Sequence, residues 1–290
     1  MKSDAIDELG LDHDATQNLL RQYLKSLRDR SSSKRAAEAC CHFGCVGNGQ
    51  EDVSLRTAEL LYPWLCDLEE NGAPDTLVVE ELRYGTLYAW DHFSSGKLER
   101  GSLIFQKLYE RASITLGATE VHSLECLQMH AEAMACYCDA DQALPSHRLL
   151  VERLEEEFGP LSPRAVIIQV QLIGLLLQSG SVSEALKLAR SVRKKASSKN
   201  LYEKELAYLD VLFAKSLLLA EEQAEATGVL DRMFKQKIAG LSPEQTQQLR
   251  KSYELEKDSD GLIEVVESVE KELVETEPWW NPYWPLTVPQ

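Results

Sequence analysis

The sequence predicts an all-α protein built as a solenoid of antiparallel helix pairs. Three observations carry that expectation. Apolar residues recur at helical spacing, as in Leu172, Leu175 and Leu176 and again in Leu186, Ala189 and Val192. Strand signals are missing: no run of alternating Val, Ile and Thr lies between tight Asn-Gly turns. The links between periodic segments are only a few residues long, which forces neighbouring helices antiparallel.

Taken in order, helices are expected over roughly 14–30, 34–44, 52–70, 75–94, 99–114, 120–138, 142–158, 163–179, 183–197, 201–220, 223–237, 243–256 and 260–275. The helix pairs repeat. Gly117-Ala118-Thr119-Glu120-Val121-His122-Ser123 precedes one helix and Gly159-Pro160-Leu161-Ser162-Pro163-Arg164-Ala165 precedes another, an offset of 159 − 117 = 42. The same 42 residues relate Gln142-Ala143-Leu144 to Glu184-Ala185-Leu186, Cys138 to Gly180 and back to Gly96, and Leu175-Leu176-Leu177 to Leu217-Leu218-Leu219. Each part of the unit has a physical reason. Glycine ends a helix because it tolerates a left-handed turn. Ser or Asp followed by Pro caps and starts the next helix. Small residues at Gly101, Ala143 and Ala185 let two backbones approach. One pair cannot bury its apolar face alone; stacked neighbours can.

Composition narrows the function. The chain has 290 residues, 44% apolar and 27% charged, enough for a sizeable core. Its formal charge is −16, with a pI near 4.9. So acidic a surface repels nucleic-acid backbones and anionic membranes, so no nucleic acid and no membrane is expected among its partners. No stretch of about 18 apolar residues exists to span a bilayer. The N-terminus, Met1-Lys2-Ser3-Asp4, leads into acidic residues with no apolar signal core. Seven cysteines, an odd number partly inside helical patterns, fit reduced thiols in a cytoplasmic protein.

The Leu-Gly-x-x-His-x-x-Thr/Leu turn and the 42-residue unit resemble tetratricopeptide (TPR) repeats of the kinesin light chain type. Ala143 and Ala185, with Gly101 earlier, match the small position of the second helix; Ala89, Ala131 and Ala214 match that of the first. The resemblance implies a right-handed superhelix that binds peptides or proteins on its concave face. It also implies an organisation: a helical region with degenerate repeats over 1–70, a TPR-like array over 71–240, capping helices over 241–275 and a Pro/Trp-rich tail over 276–290. On the repeat alignment, the concave positions are Arg83, Thr86, Trp90, Glu125, Gln128, Glu132, Tyr208, Val211 and Lys215, with an apolar floor at Ile167, Val170, Gly174 and Leu177 between. Aromatics there would supply contact area, and Arg or Gln would fix orientation of an extended or helical peptide.

Few residues offer chemistry. His122, Cys126 and His130 fall at i, i+4 and i+8 on one helical face, and imidazole with thiolate is a zinc or copper ligand set. Steps of four residues rise ~6 Å, too far for one ion to reach the first and third. Packing on a neighbouring helix is the alternative. Cys40, Cys41, His42, Cys45 and Cys66 form a second cluster with only one loose pair. The loop Gly44–Gly49 lacks the Lys-Ser/Thr of a phosphate cradle. No metal, cofactor or catalytic residue is therefore assigned. Carboxylate runs such as Glu155-Glu156-Glu157 read as solvated faces. A basic stripe of Lys187, Arg190, Arg193, Lys194, Lys195 and Lys199 could meet an acidic partner, the chain's own acidic last helix, or solvent.

The tail holds three of the five tryptophans, Trp279, Trp280 and Trp284, with Tyr283 and four prolines. Proline favours an extended segment, and such aromatics need burial. They can cap the solenoid or dock elsewhere, including on a second copy. Glu277 beside Trp279 resembles the tryptophan-acidic peptides that light-chain repeats take. The expectation is a non-enzymatic, cytoplasmic interaction scaffold for a protein or peptide partner. The alternatives are a metal- or small-molecule-binding helical protein or enzyme, and a subunit that self-assembles through its tail.

Overall fold

The computed structural model describes residues 82, 85–86, 88–89, 92, 96–196, 203–235, 238–257 and 261–275. Every regular element among them is a helix. These are α1 (Leu98–Thr115), α2 (Val121–Tyr137), α3 (Ala140–Phe158), α4 (Pro163–Gln178), α5 (Val182–Lys195), α6 (Glu203–Leu219), α7 (Gln223–Lys235), α8 (Pro243–Glu256) and α9 (Leu262–Glu275). Each begins and ends within two residues of the span expected from periodicity. The spans expected over 14–30, 34–44 and 52–70 lie outside the described residues, as do the Cys40–Cys66 cluster and the tail aromatics.

Local signals set the helix ends. Ser162 Oγ accepts from the Ala165 amide at 3.3 Å, with Pro163 at the first helical position. Ser242 closes a full capping box: its Oγ accepts from Gln245 N at 3.1 Å, and Gln245 Oε1 accepts from Ser242 N at 2.8 Å. The repeat glycines Gly96, Gly117, Gly159, Gly180 and Gly240 all carry positive φ. At Gly180, φ is 75°, and the Gly180 and Ser181 amides reach back to Leu177 O and Leu176 O at 3.1 and 2.8 Å. That is a Schellman turn, which satisfies two orphan carbonyls of α4.

The chain divides into two units, Met1–Tyr137 and Cys138–Gln290. In the first, α1 packs along α2. Ile104, Phe105, Leu108 and Ala112 of α1 and Leu124, Leu127 and Ala131 of α2 are buried. Burying each large side chain contributes roughly 1.5–3 kcal/mol. In the second unit, α4 lies between α3 and α5, and α6 lies between α5 and α7 while also touching α4. Ala143, Ala185 and Ala214 have no exposure, as the close helix approach requires. Gln169, which interrupts the apolar run of α4, donates to Glu155 of α3.

The end of the second unit departs from this pattern. α8 seats on α7: the Tyr253 hydroxyl donates to Asp231 Oδ1 at 2.8 Å, and its ring stacks on Phe234 with centroids 4.9 Å apart. α9 then packs on α8 but also reaches back to α6. Its stripe of Leu262, Val265, Val266, Val269 and Leu273 is buried.

Candidate functional site

Two sets of predicted groove residues fall among the described residues, one in each unit. In the first unit, Thr86 lies in helical backbone; its Oγ1 donates to Leu82 O at 2.7 Å and sits 3.8 Å from Cys126 Sγ. Arg83 and Trp90 lie outside the described residues. Glu125, Gln128 and Glu132 follow on α2 at spacings of three and four residues, which places them on one face. Glu125 is half-buried, and its Oε2 lies 3.1 Å from His122 Nδ1. Gln128 Nε2 donates to Glu132 Oε1 at 2.8 Å, and both residues are buried. Glu132 Oε2 finds no hydrogen-bond partner among the described residues. Burial raises the Glu132 carboxyl from 4.5 to about 7, against the opposing pull of the Gln128 hydrogen bond.

In the second unit, Tyr208, Val211 and Lys215 share one face of α6. Tyr208 and Val211 are buried. Burial, with the nearby Glu270 charge, pushes the Tyr208 phenol upward. Lys215 Nζ donates to Glu270 Oε2 at 2.8 Å and lies 3.4 Å from Glu267 Oε1. Burial works against the ammonium, but these two carboxylates outweigh it and hold its pKa above the ordinary lysine value. Both glutamates belong to α9, so the last helix among the described residues lies against these positions. Of the middle positions, Gly174 faces Tyr208: a Cβ on Gly174 would stand 3.8 Å from the tyrosine oxygen.

The three residues of the His122 face do not converge. His122 turns to Glu125, Cys126 contacts Thr86, and His130 Nδ1 lies 3.1 Å from both the carbonyl and the hydroxyl oxygen of Ser102 on α1. Burial pushes the Cys126 thiol up to about 12, which keeps it from acting as a thiolate. Burial also lowers the His130 pKa, despite its contact with the Ser102 carbonyl. No group of three His, Cys, Asp or Glu residues with metal-binding geometry occurs among the described residues.

The basic stripe is partly consumed by the fold. Arg190 bridges Glu222 and Glu225 across α5 and α7, and Arg193 pairs with Asp210 of α6. Neither arginine goes to α9. Sequence reasoning missed these acidic partners because each lies on a different helix. It also treated α9 as a simple cap. The signal for more was present: an apolar stripe at Leu262, Val265, Val266, Val269 and Leu273 needs a wall of matching length.

No family model and no curated protein matches the sequence. Solved structures do match the fold. The chain is similar to the crystal structure of nearly identical TPR-like repeats from a Podosopora anserina kinesin light chain candidate, at 14% identity and a TM-score of 0.51, over 76% of this chain and 95% of that one. It is also similar to BtubC (BKLC) from P. vanneervenii, at 12% identity and a TM-score of 0.54, over 87% of this chain and 89% of that one. The protein is therefore a TPR-like helical-repeat protein in fold. No helix among the described residues is long and apolar enough to cross a membrane.

Proposed function

We propose that this chain is a non-enzymatic, cytoplasmic scaffold that binds a protein or peptide partner on the inner wall of its helical repeats. The observation that carries the reading is the row Glu125, Gln128 and Glu132 on α2. In a helix otherwise rich in Leu, Met and Ala, these polar groups recur along one face. Gln128 and Glu132 are buried and bonded to each other, but Glu132 Oε2 is left without a partner among the described residues, and a peptide N–H would satisfy it. Thr86 extends the same register, and the repeat alignment adds Arg83 and Trp90 to it. The TPR-like fold supports the class of task, since its stacked first helices present side chains at regular intervals.

The test is affinity capture with cross-linking, comparing the native chain with a Trp90→Ala/Glu125→Ala double variant. The expected result is loss of the captured partner, with cross-links in the native sample mapping to α2 and the sequence around Thr86. Unchanged capture at unchanged helicity moves the interface off this wall.

A further inference from the structure

The most extensive contact between helices not adjacent in sequence, among the described residues, is that of α9 with α6. From α3 to α7 each helix packs on the next, and α6 also touches α4; α8 meets α7 through Tyr253. α9 instead reaches back past α7 to α6, the first helix of the preceding pair. It arrives on the α6 face where the repeat register places partner contacts. The contact is built like a peptide complex, with an apolar stripe flanked by charge. Val266 and Val269 are fully buried, while Lys215 is held between Glu267 and Glu270. The complementarity has a direction: α9 has five carboxylates and one lysine, and the wall it meets offers a cation.

We propose that the α6 face carrying Tyr208, Val211 and Lys215 is a docking surface for an acidic amphipathic helix, and that α9 fills it in cis until a partner helix of the same chemistry displaces it. The inference rests on the interaction-scaffold reading and names one partner class for it. The ligand is a helix with Val or Leu at i, i+3, i+4 and i+7 and glutamates three apart on one flank. Because α9 is tethered, its effective concentration is high, and a competing helix sees only the fraction of molecules in which α9 has lifted.

The experiment uses the full-length chain and a fluorescein-labelled peptide of Leu262–Glu275, read by anisotropy. Val266→Asp/Val269→Asp in the chain weakens its own α9. This variant should bind the peptide at least about ten-fold more tightly than the native chain does. Adding Lys215→Glu should weaken that binding about ten-fold, and a peptide with Glu267→Lys and Glu270→Lys should restore it. Absence of peptide binding by the Val266→Asp/Val269→Asp chain overturns the proposal. So does a loss of helicity beyond the 14 residues of α9, because α9 is then core and not a ligand. Peptide binding that ignores Lys215→Glu also overturns it. These outcomes are separate from capture through Trp90 and Glu125, so the cis contact can fail while the scaffold reading stands.

Discussion

Glu221 takes, between α6 and α7, the left-handed turn that Gly180 takes between α4 and α5. Its φ is 62°, against 75° at the glycine. The hydrogen bonds match as well: the Glu221 amide reaches Leu218 O at 3.0 Å and the Glu222 amide reaches Leu217 O at 2.8 Å. Both turns are Schellman motifs, so Glu221 aligns with Gly180 at 221 − 180 = 41 residues, one fewer than the beat of the preceding unit. A β-carbon in this conformation costs roughly 1–2 kcal/mol. Glu221→Gly should therefore stabilise the protein by about 1 kcal/mol, and Gly180→Ala should destabilise it by a similar amount. Chemical denaturation of the two variants checks both signs.

Gly174 sits inside α4, where glycine costs about 1 kcal/mol relative to alanine. An added Cβ would meet only the Tyr208 hydroxyl, at an ordinary contact distance of 3.8 Å. Gly174→Ala should raise the melting temperature. Gly174→Leu should lower it, because that side chain must displace Tyr208, at a cost of roughly 1–3 kcal/mol. A thermal melt that ranks the two the other way would show that Tyr208 yields.

Glu132 links stability to pH. Its carboxyl titrates near 7 in the fold, against an ordinary value of 4.5. Between those values the folded state holds the extra proton, so stability falls as pH rises through this window and levels off above it. The full drop is on the order of 3 kcal/mol. Glu132→Gln removes the titrating group and should flatten the profile between pH 4.5 and 7. Urea midpoints measured across that range, native against variant, decide the matter.

Ser242 holds the start of α8 through both halves of its capping box. Ser242→Ala should cost about 1 kcal/mol and raise amide exchange in the first turn of α8. Replacing Arg190 by Ala should cost less, because its ion pairs with Glu222 and Glu225 are exposed and screened by salt. Equal losses from the two changes would contradict this ranking.

Much of the architecture was legible in the sequence because its causes are local. Helical period, the Ser-Pro starts at Ser162 and Ser242, and the glycine stops at Gly117, Gly159 and Gly180 act within a turn or two of chain. They specified nine helices among the described residues to within two residues at each end. The small residues Ala131, Ala143 and Ala185 further marked where helices press together.

Tertiary structure alone decided which faces meet. His122, Cys126 and His130 share a helical register, yet His122 turns to Glu125 on its own helix, Cys126 meets Thr86 and His130 meets Ser102 of α1. Lys215 read as a groove cation until α9 came to lie beside it. No sequence signal marks Glu221, yet it takes a glycine's conformation in the turn between α6 and α7. Periodicity tells a residue which side of its own helix it occupies. Only the packing of helices distant in sequence determines what stands opposite.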